Sequence, residues 1–131
     1  MADEMIKIDD GLGSVRIGDE VVSMMAGIAA LEIPGIAGMS GGLVGGIAEL
    51  LGRKNLSKGV KVEVGEKEAR VDLYIIIKYG ERIPDVAIAV QENVKKQIES
   101  MTGLSVIEVN VHVQGVDFGE EENKEETRKI R

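Results

Sequence analysis

Val60-Lys61-Val62-Glu63-Val64-Gly65-Glu66-Lys67-Glu68-Ala69-Arg70-Val71-Asp72-Leu73-Tyr74-Ile75-Ile76-Ile77-Lys78-Tyr79 decides the architecture. Val60, Val62 and Val64 alternate with Lys61 and Glu63. Gly65 to Glu68 turns the chain, and Val71, Leu73, Ile75, Ile77 and Tyr79 then alternate onward, as a β-hairpin with one buried face requires. The other face of the second strand carries Arg70, Asp72, Tyr74, Ile76 and Lys78. Tyr74 and Ile76 are larger and more apolar than a fully solvated face needs, so part of that face is expected to be covered.

Downstream, Gly80 to Ile83 leads into a helix with Pro84 in its first turn, where a missing N–H costs nothing, and Asp85 beside it. Val86, Val90, Val94, Ile98 and Met101 form its apolar stripe, and Thr102-Gly103 supplies the stop. A final strand follows, with Ile107, Val109, Val111 and Val113 on one face and Glu108, Asn110, His112 and Gln114 on the other. After Phe118 the chain is almost wholly charged and has little to bury, so residues 119–131 read as a disordered tail or a frayed helix.

Upstream, residues 1–12 read as a flexible, charged lead-in, and Ser14-Val15-Arg16-Ile17 alternates as a strand. Asp19 is placed to N-cap a helix from about 20 to 33, with stripe residues Val22, Met25, Ala26, Ala29 and Ile33 and a stop at Pro34. Its small residues allow close packing. Ile36–Met39 reads as a short strand, Ile47–Leu51 as a brief helical piece, and Gly52 to Gly59 as a basic loop. The expected architecture is α+β: a single domain over 13–118, with two helices on one face of a mostly antiparallel sheet of at least four strands. A ferredoxin-like and a KH-like arrangement both satisfy this order.

Composition narrows function. Asp+Glu 23 against Lys+Arg 16 gives a net charge of −7, a field that disfavours phosphate backbones and anionic lipid. The chain has no cysteine, which removes disulfides, thiolate metal sites and Cys nucleophiles and fits a reducing compartment. The opening Met-Ala-Asp-Glu-Met is acidic where a signal peptide is basic. The longest uncharged run, Ile33 to Ala48, has 16 residues, six of them glycine, and a spanning helix needs about 20 mainly apolar ones.

No chemistry assembles from the pattern. His112 is the one histidine and stands mid-strand among polar residues, where a solvated or interface role is expected rather than that of a catalytic base, and one histidine cannot build a multi-histidine metal site. Carboxylates occur singly, and no catalytic residue, metal or cofactor is expected. The glycine run lacks a phosphate-loop ending. Gly38-Met-Ser-Gly41 and Gly42-Leu-Val-Gly45 match the loose Gly-x-x-Gly of a KH domain, and Lys54, Lys58, Lys61, Lys95 and Lys96 could supply local positive charge. A KH-like RNA-binding module is therefore the alternative to a protein-binding surface. For the latter, the candidates are Ile36, Met39, Leu43 and Val44 in the glycine stretch and Tyr74 and Ile76 on the hairpin.

Gly13-Ser-Val-Arg-Ile17, Asp19-Glu-Val-Val22, Ala29-Ala-Leu-Glu-Ile-Pro-Gly-Ile-Ala-Gly-Met39 and Lys58-Gly-Val-Lys-Val-Glu63 resemble the alkaline shock (Gls-type general-stress) proteins. So do Val71-Asp-Leu-Tyr-Ile75, Ile83-Pro84, Thr102-Gly-Leu104, Val109-Asn-Val111 and Gly115-Val-Asp-Phe118, in the same order along 13–118. The resemblance implies a cytoplasmic protein of Gram-positive-type bacteria tied to cell-envelope stress. It also implies that some members are held at the membrane by a separate anchoring protein and that others are associated with lipid-synthesis homeostasis. Exposed apolar residues without chemistry lead to the expectation of a non-enzymatic scaffold that self-associates, with a membrane-anchoring protein or lipid-synthesis enzymes as further partners. It carries over no catalytic residues.

Overall fold

The computed structural model describes residues 5–9, 11–40 and 58–119. Along the chain these form β1 (Met5–Asp9), β2 (Ser14–Gly18), α1 (Asp19–Leu31), β3 (Ile36–Met39), β4 (Val60–Val64), β5 (Glu68–Lys78), α2 (Ile83–Thr102) and β6 (Ser105–Asp117). The architecture is α+β. Two helices cover one face of a four-stranded sheet, and β1 with β2 makes a separate antiparallel ribbon. That ribbon places a strand inside the segment read from sequence as a lead-in.

β5 is the hub. β4 and β3 both pair antiparallel to its one edge, in succession, opposite 69–73 and 75–77 respectively. β6 runs parallel to its other edge from Glu68 to Lys78. That parallel direction follows from the crossover through α2, which returns the chain to the end of the sheet where β5 began. β6 carries one extra residue at each of two bulges, Ile107 and Gln114, and β3 carries Ala37.

The core is aliphatic. Ala69, Val71, Leu73, Ile75 and Ile77 line the covered face of β5, each at most 1% exposed. Val86, Val90, Val94 and Ile98 descend onto them from α2 at helical spacing. α1 contributes Val22, Ala26, Ala29 and Ala30, and these short side chains let its backbone lie close to the sheet. With fully buried aliphatics each contributing about 1.5–3 kcal/mol, the core is sufficient without aromatics.

Helix ends depart from expectation only for α1. Asp19 is not its cap: Gly18 holds that position in extended geometry without a side-chain bond, and Asp19 begins the first turn beside the positive end of the helix dipole. The helix stops at Leu31, and Asn93 of α2 ties down its end by donating from Nδ2 to Ala29 O at 2.8 Å. α2 ends as expected, Gly103 taking the left-handed conformation at φ 79°.

The expected helical piece at Ile47–Leu51, the greater part of the basic loop and nearly all of the charged tail lie outside the described residues. The chain leaves the sheet at Ser40 and is back at Gly59, on either side of the same residue. Ser40 N donates to Tyr74 O at 2.7 Å, and Tyr74 N donates to Gly59 O at 2.8 Å. β3 and β4 are thus two halves of one edge, with 41–58 inserted at its middle.

Candidate functional site: the outer face of the sheet

The alternation that buries Val71 to Ile77 sends Arg70, Asp72, Tyr74, Ile76 and Lys78 to the face away from the helices. The register then selects their neighbours. Arg70 lies between Glu63 of β4 and Glu108 of β6, and Asp72 lies between Lys61 and Asn110, so opposite charges meet across strands.

At the centre, Tyr74 lies beside His112. Their rings stack with centroids 4.4 Å apart and planes 11° from parallel. Lys61 Nζ stands over the tyrosine ring, 5.7 Å from its centroid. His112 Nε2 lies 3.0 Å from Asp72 Oδ1, and because a carboxylate only accepts, this bond places a proton on Nε2 and fixes the imidazole edge. Lysine, tyrosine, histidine and aspartate therefore form one continuous strip over three strands.

Beyond it, Ile76 stands between two glycines, paired with Gly38 on β3 and Gly115 on β6. A Cβ at Gly115 would lie 3.1 Å from Ile76 Cδ1, so the isoleucine leans over that bare backbone. Ser40 Oγ donates to Gln114 Oε1 at 3.3 Å, linking the end of β3 to the second bulge of β6. Tyr74, Ile76 and His112 are all half-buried.

Of the six interaction residues expected from sequence, Tyr74 and Ile76 occupy this face together. Ile36 and Met39 do not: they are 6% and 9% exposed and belong to the core. The bulge at Ala37 is the reason, because it gives two residues three apart the same inward direction. Leu43 and Val44 lie outside the described residues. His112 enters the strip through a register that strand alternation alone does not specify.

Among the described residues, no three histidine or carboxylate side chains converge on a point that could hold a metal ion. Two open hollows occur, one at the end of this face and one on α2. One, of about 240 Å³, lies by the β4–β5 turn against Glu63, Arg70 and Ile107; the other, of about 470 Å³, lies along Glu92, Lys95, Lys96 and Glu99 of α2. Glu99 is held below the usual carboxylate value, first by the N–H of Val106 and next by Lys95, with burial acting weakly the other way. A carboxylate so held is ionised and engaged, the opposite of a poised general acid. No helix among the described residues is long and apolar enough to cross a membrane.

Comparison with known proteins agrees with the resemblance. The Bacillus subtilis (strain 168) protein YqhY is 42% identical over 110 residues, covering 84% of this chain and 82% of that one. YloU of the same organism is 39% identical over 113 residues, covering 85% and 94%. A Streptococcus pyogenes protein named stress response regulator gls24 homolog is 33% identical over 102 residues, but the match spans only 57% of its length. Solved structures of MamM CTD variants align with a TM-score of 0.47 at 13% identity, over 76% of this chain and 96% of that one, a likeness too weak to carry an argument. Residues 7–118 match the family described as having a cell envelope-related function, and the chain belongs to it: the alkaline shock protein 23 family.

Proposed function

We propose that this chain is a non-enzymatic scaffold of the cell-envelope stress response, cytoplasmic, and active through protein–protein contacts on the outer face of its sheet. Copies of itself and a membrane-anchoring or lipid-synthesis protein are its partners. The observation that carries the reading is the exposed face of the β5–β6 pair. Parallel strands are ordinarily covered on both faces. Here the described residues cover one, and the other presents Ile76 between glycines beside the Tyr74–His112 stack.

The surface fits protein recognition better than nucleic acid. Its polar groups are already matched in sign across strands, and the net charge of −7 works against a polyanion. It binds by shape, an aliphatic ridge and an aromatic plateau, with polar residues around them.

The test is affinity capture from native cells, membrane and soluble fractions apart, with wild type and the double variant Tyr74→Glu/Ile76→Glu. The reading expects an envelope protein retained by wild type and lost from the variant, with circular dichroism unchanged. Equal recovery by both refutes the face. RNA recovered instead, with binding to mixed-sequence RNA that weakens as salt rises, would establish the KH-like alternative.

A further inference from the structure

β6 is an edge strand, and its outward backbone groups are guarded along only part of its length. Val106 is closed by α2 side chains: its N–H donates to Glu99 Oε2 at 2.9 Å and its carbonyl accepts Lys95 Nζ at 3.0 Å. Val109 O accepts Gln91 Nε2 at 2.9 Å. Capping an exposed edge with side chains is a recognised way of preventing strand addition.

The bulge at Ile107 makes Val106 and Val109 both face outward, and strict alternation from Val109 makes Val111 and Val113 the next outward positions. Among the described residues nothing bonds their outward N–H and C=O groups. α2 runs antiparallel to β6, as the Lys95–Val106 and Gln91–Val109 contacts show. Ile88, three residues before Gln91, continues that row one turn further, level with Val111. It cannot cap a backbone, and it is 52% exposed. The guard row therefore changes from polar to aliphatic where the edge is unbonded.

We infer that this segment is a self-pairing edge: β6 of a second copy adds antiparallel to it about a two-fold axis at His112. The inference rests on the self-association in the function proposed above and places the contact between copies at the β6 edge, leaving the outer face to the other partners. The register follows from the sequence of the strand. Outward residues must face outward residues, so Val111 of each copy pairs with Val113 of the other, and His112 lies opposite its own counterpart. On the outer face Asn110 then meets Gln114, and no like charges lie directly opposite. On the helix face Ile88 meets Ile88 across the axis. The two stacks align as tyrosine, histidine, histidine, tyrosine, extending one recognition face over two chains. A second copy fits better than an arbitrary strand because every partner in this register is complementary to itself. The pairing is short, so association is weak and concentration-dependent.

The test uses sedimentation equilibrium over a concentration series reaching the millimolar range. The apparent mass of wild type is expected to rise from 14.1 kDa toward twice that value. Val111→Pro deletes an N–H that β5 does not use, as edge strands tolerate, and is expected to remain monomeric with an unchanged circular dichroism spectrum. Ile88→Lys, on the surface of α2, is expected to do the same and covers the case in which the proline variant does not fold. Because the chain lacks cysteine, His112→Cys should give a disulfide-linked dimer on mild oxidation, since residues opposed at such a site have Cα atoms about 4.5 Å apart. Asn110→Cys should not. A wild type that stays monomeric throughout, or an Ile88→Lys variant that associates like wild type, overturns the edge. Loss of association in Tyr74→Glu/Ile76→Glu alone would overturn the edge while leaving the outer-face reading intact; loss in Ile88→Lys alone would do the reverse for self-association.

Discussion

Ser40 and Gly59 meet at one residue of β5, the first donating to Tyr74 O and the second accepting from Tyr74 N, so the two ends of the 41–58 insertion are held across a single residue. The closeness depends on glycine. Gly59 has φ +77°, and a Cβ there would lie 2.7 Å from Ser40 O and 2.9 Å from Tyr74 O.

Gly59→Ala is therefore expected to destabilise the chain by about 2 kcal/mol or more, through left-handed strain plus a backbone clash. Gly80→Ala is the control. It has φ +97° with nothing within 4 Å of the added Cβ, so only strain of about 1 kcal/mol should appear. Urea denaturation of both variants measures the difference.

Ile75 is fully buried at the centre of the hub strand, between β3 and β6. Ile75→Ala should cost about 4 kcal/mol and Ile75→Val about 1 kcal/mol, because neighbours on a sheet collapse poorly into a cavity. Chemical denaturation midpoints at unchanged slope test this.

Asn93 joins the two helices through its bond to Ala29 O and a second, 3.0 Å, to Glu32 Oε1. Asn93→Ala leaves the α1 carbonyl without that partner and should cost about 1 kcal/mol. Glu32→Gln should have little effect, since that contact is exposed. Hydrogen exchange at the end of α1 would locate the loss.

Glu99 has a lowered folded-state value, caused first by the Val106 N–H and then by Lys95. The sign follows directly: its contribution is present above the unfolded carboxylate value, about pH 4.3, and is lost as pH falls through the lower folded value. Glu99→Gln should flatten the acid side of the stability profile and leave neutral pH dependence unchanged. An unaltered acid slope in thermal melts from neutral to strongly acid pH would refute the assignment.

The hairpin and α2 were legible because each of their segments keeps one period: Val60 to Val64 and Val71 to Ile77 alternate on either side of a turn, and Val86, Val90, Val94 and Ile98 repeat every four residues. What sequence could not supply were the bulges. Ala37 turns Met39 inward, which moved two expected surface residues into the core. Ile107 shifts β6 by one, and only with that shift does His112, rather than Val111, come opposite Tyr74. Half of the candidate face, Tyr74 and Ile76, was readable as apolar residues on the wrong side of a strand. Its other half depended on a parallel neighbour 38 residues away in the chain. The strand at Ser14–Gly18 was visible as a pattern, but its partner was β1, and nothing in a period-2 pattern names the strand it pairs with.

The split edge also makes the domain a socket for inserted sequence. Because Ser40 and Gly59 are already held together, lengthening the insert adds only loop-closure entropy, about 0.6 kcal/mol for each doubling. A relative could exchange this insert for another of different length and composition without disturbing core or sheet. An epitope or reporter grafted there would ride on the same scaffold, at the rim of the face proposed to meet its partners.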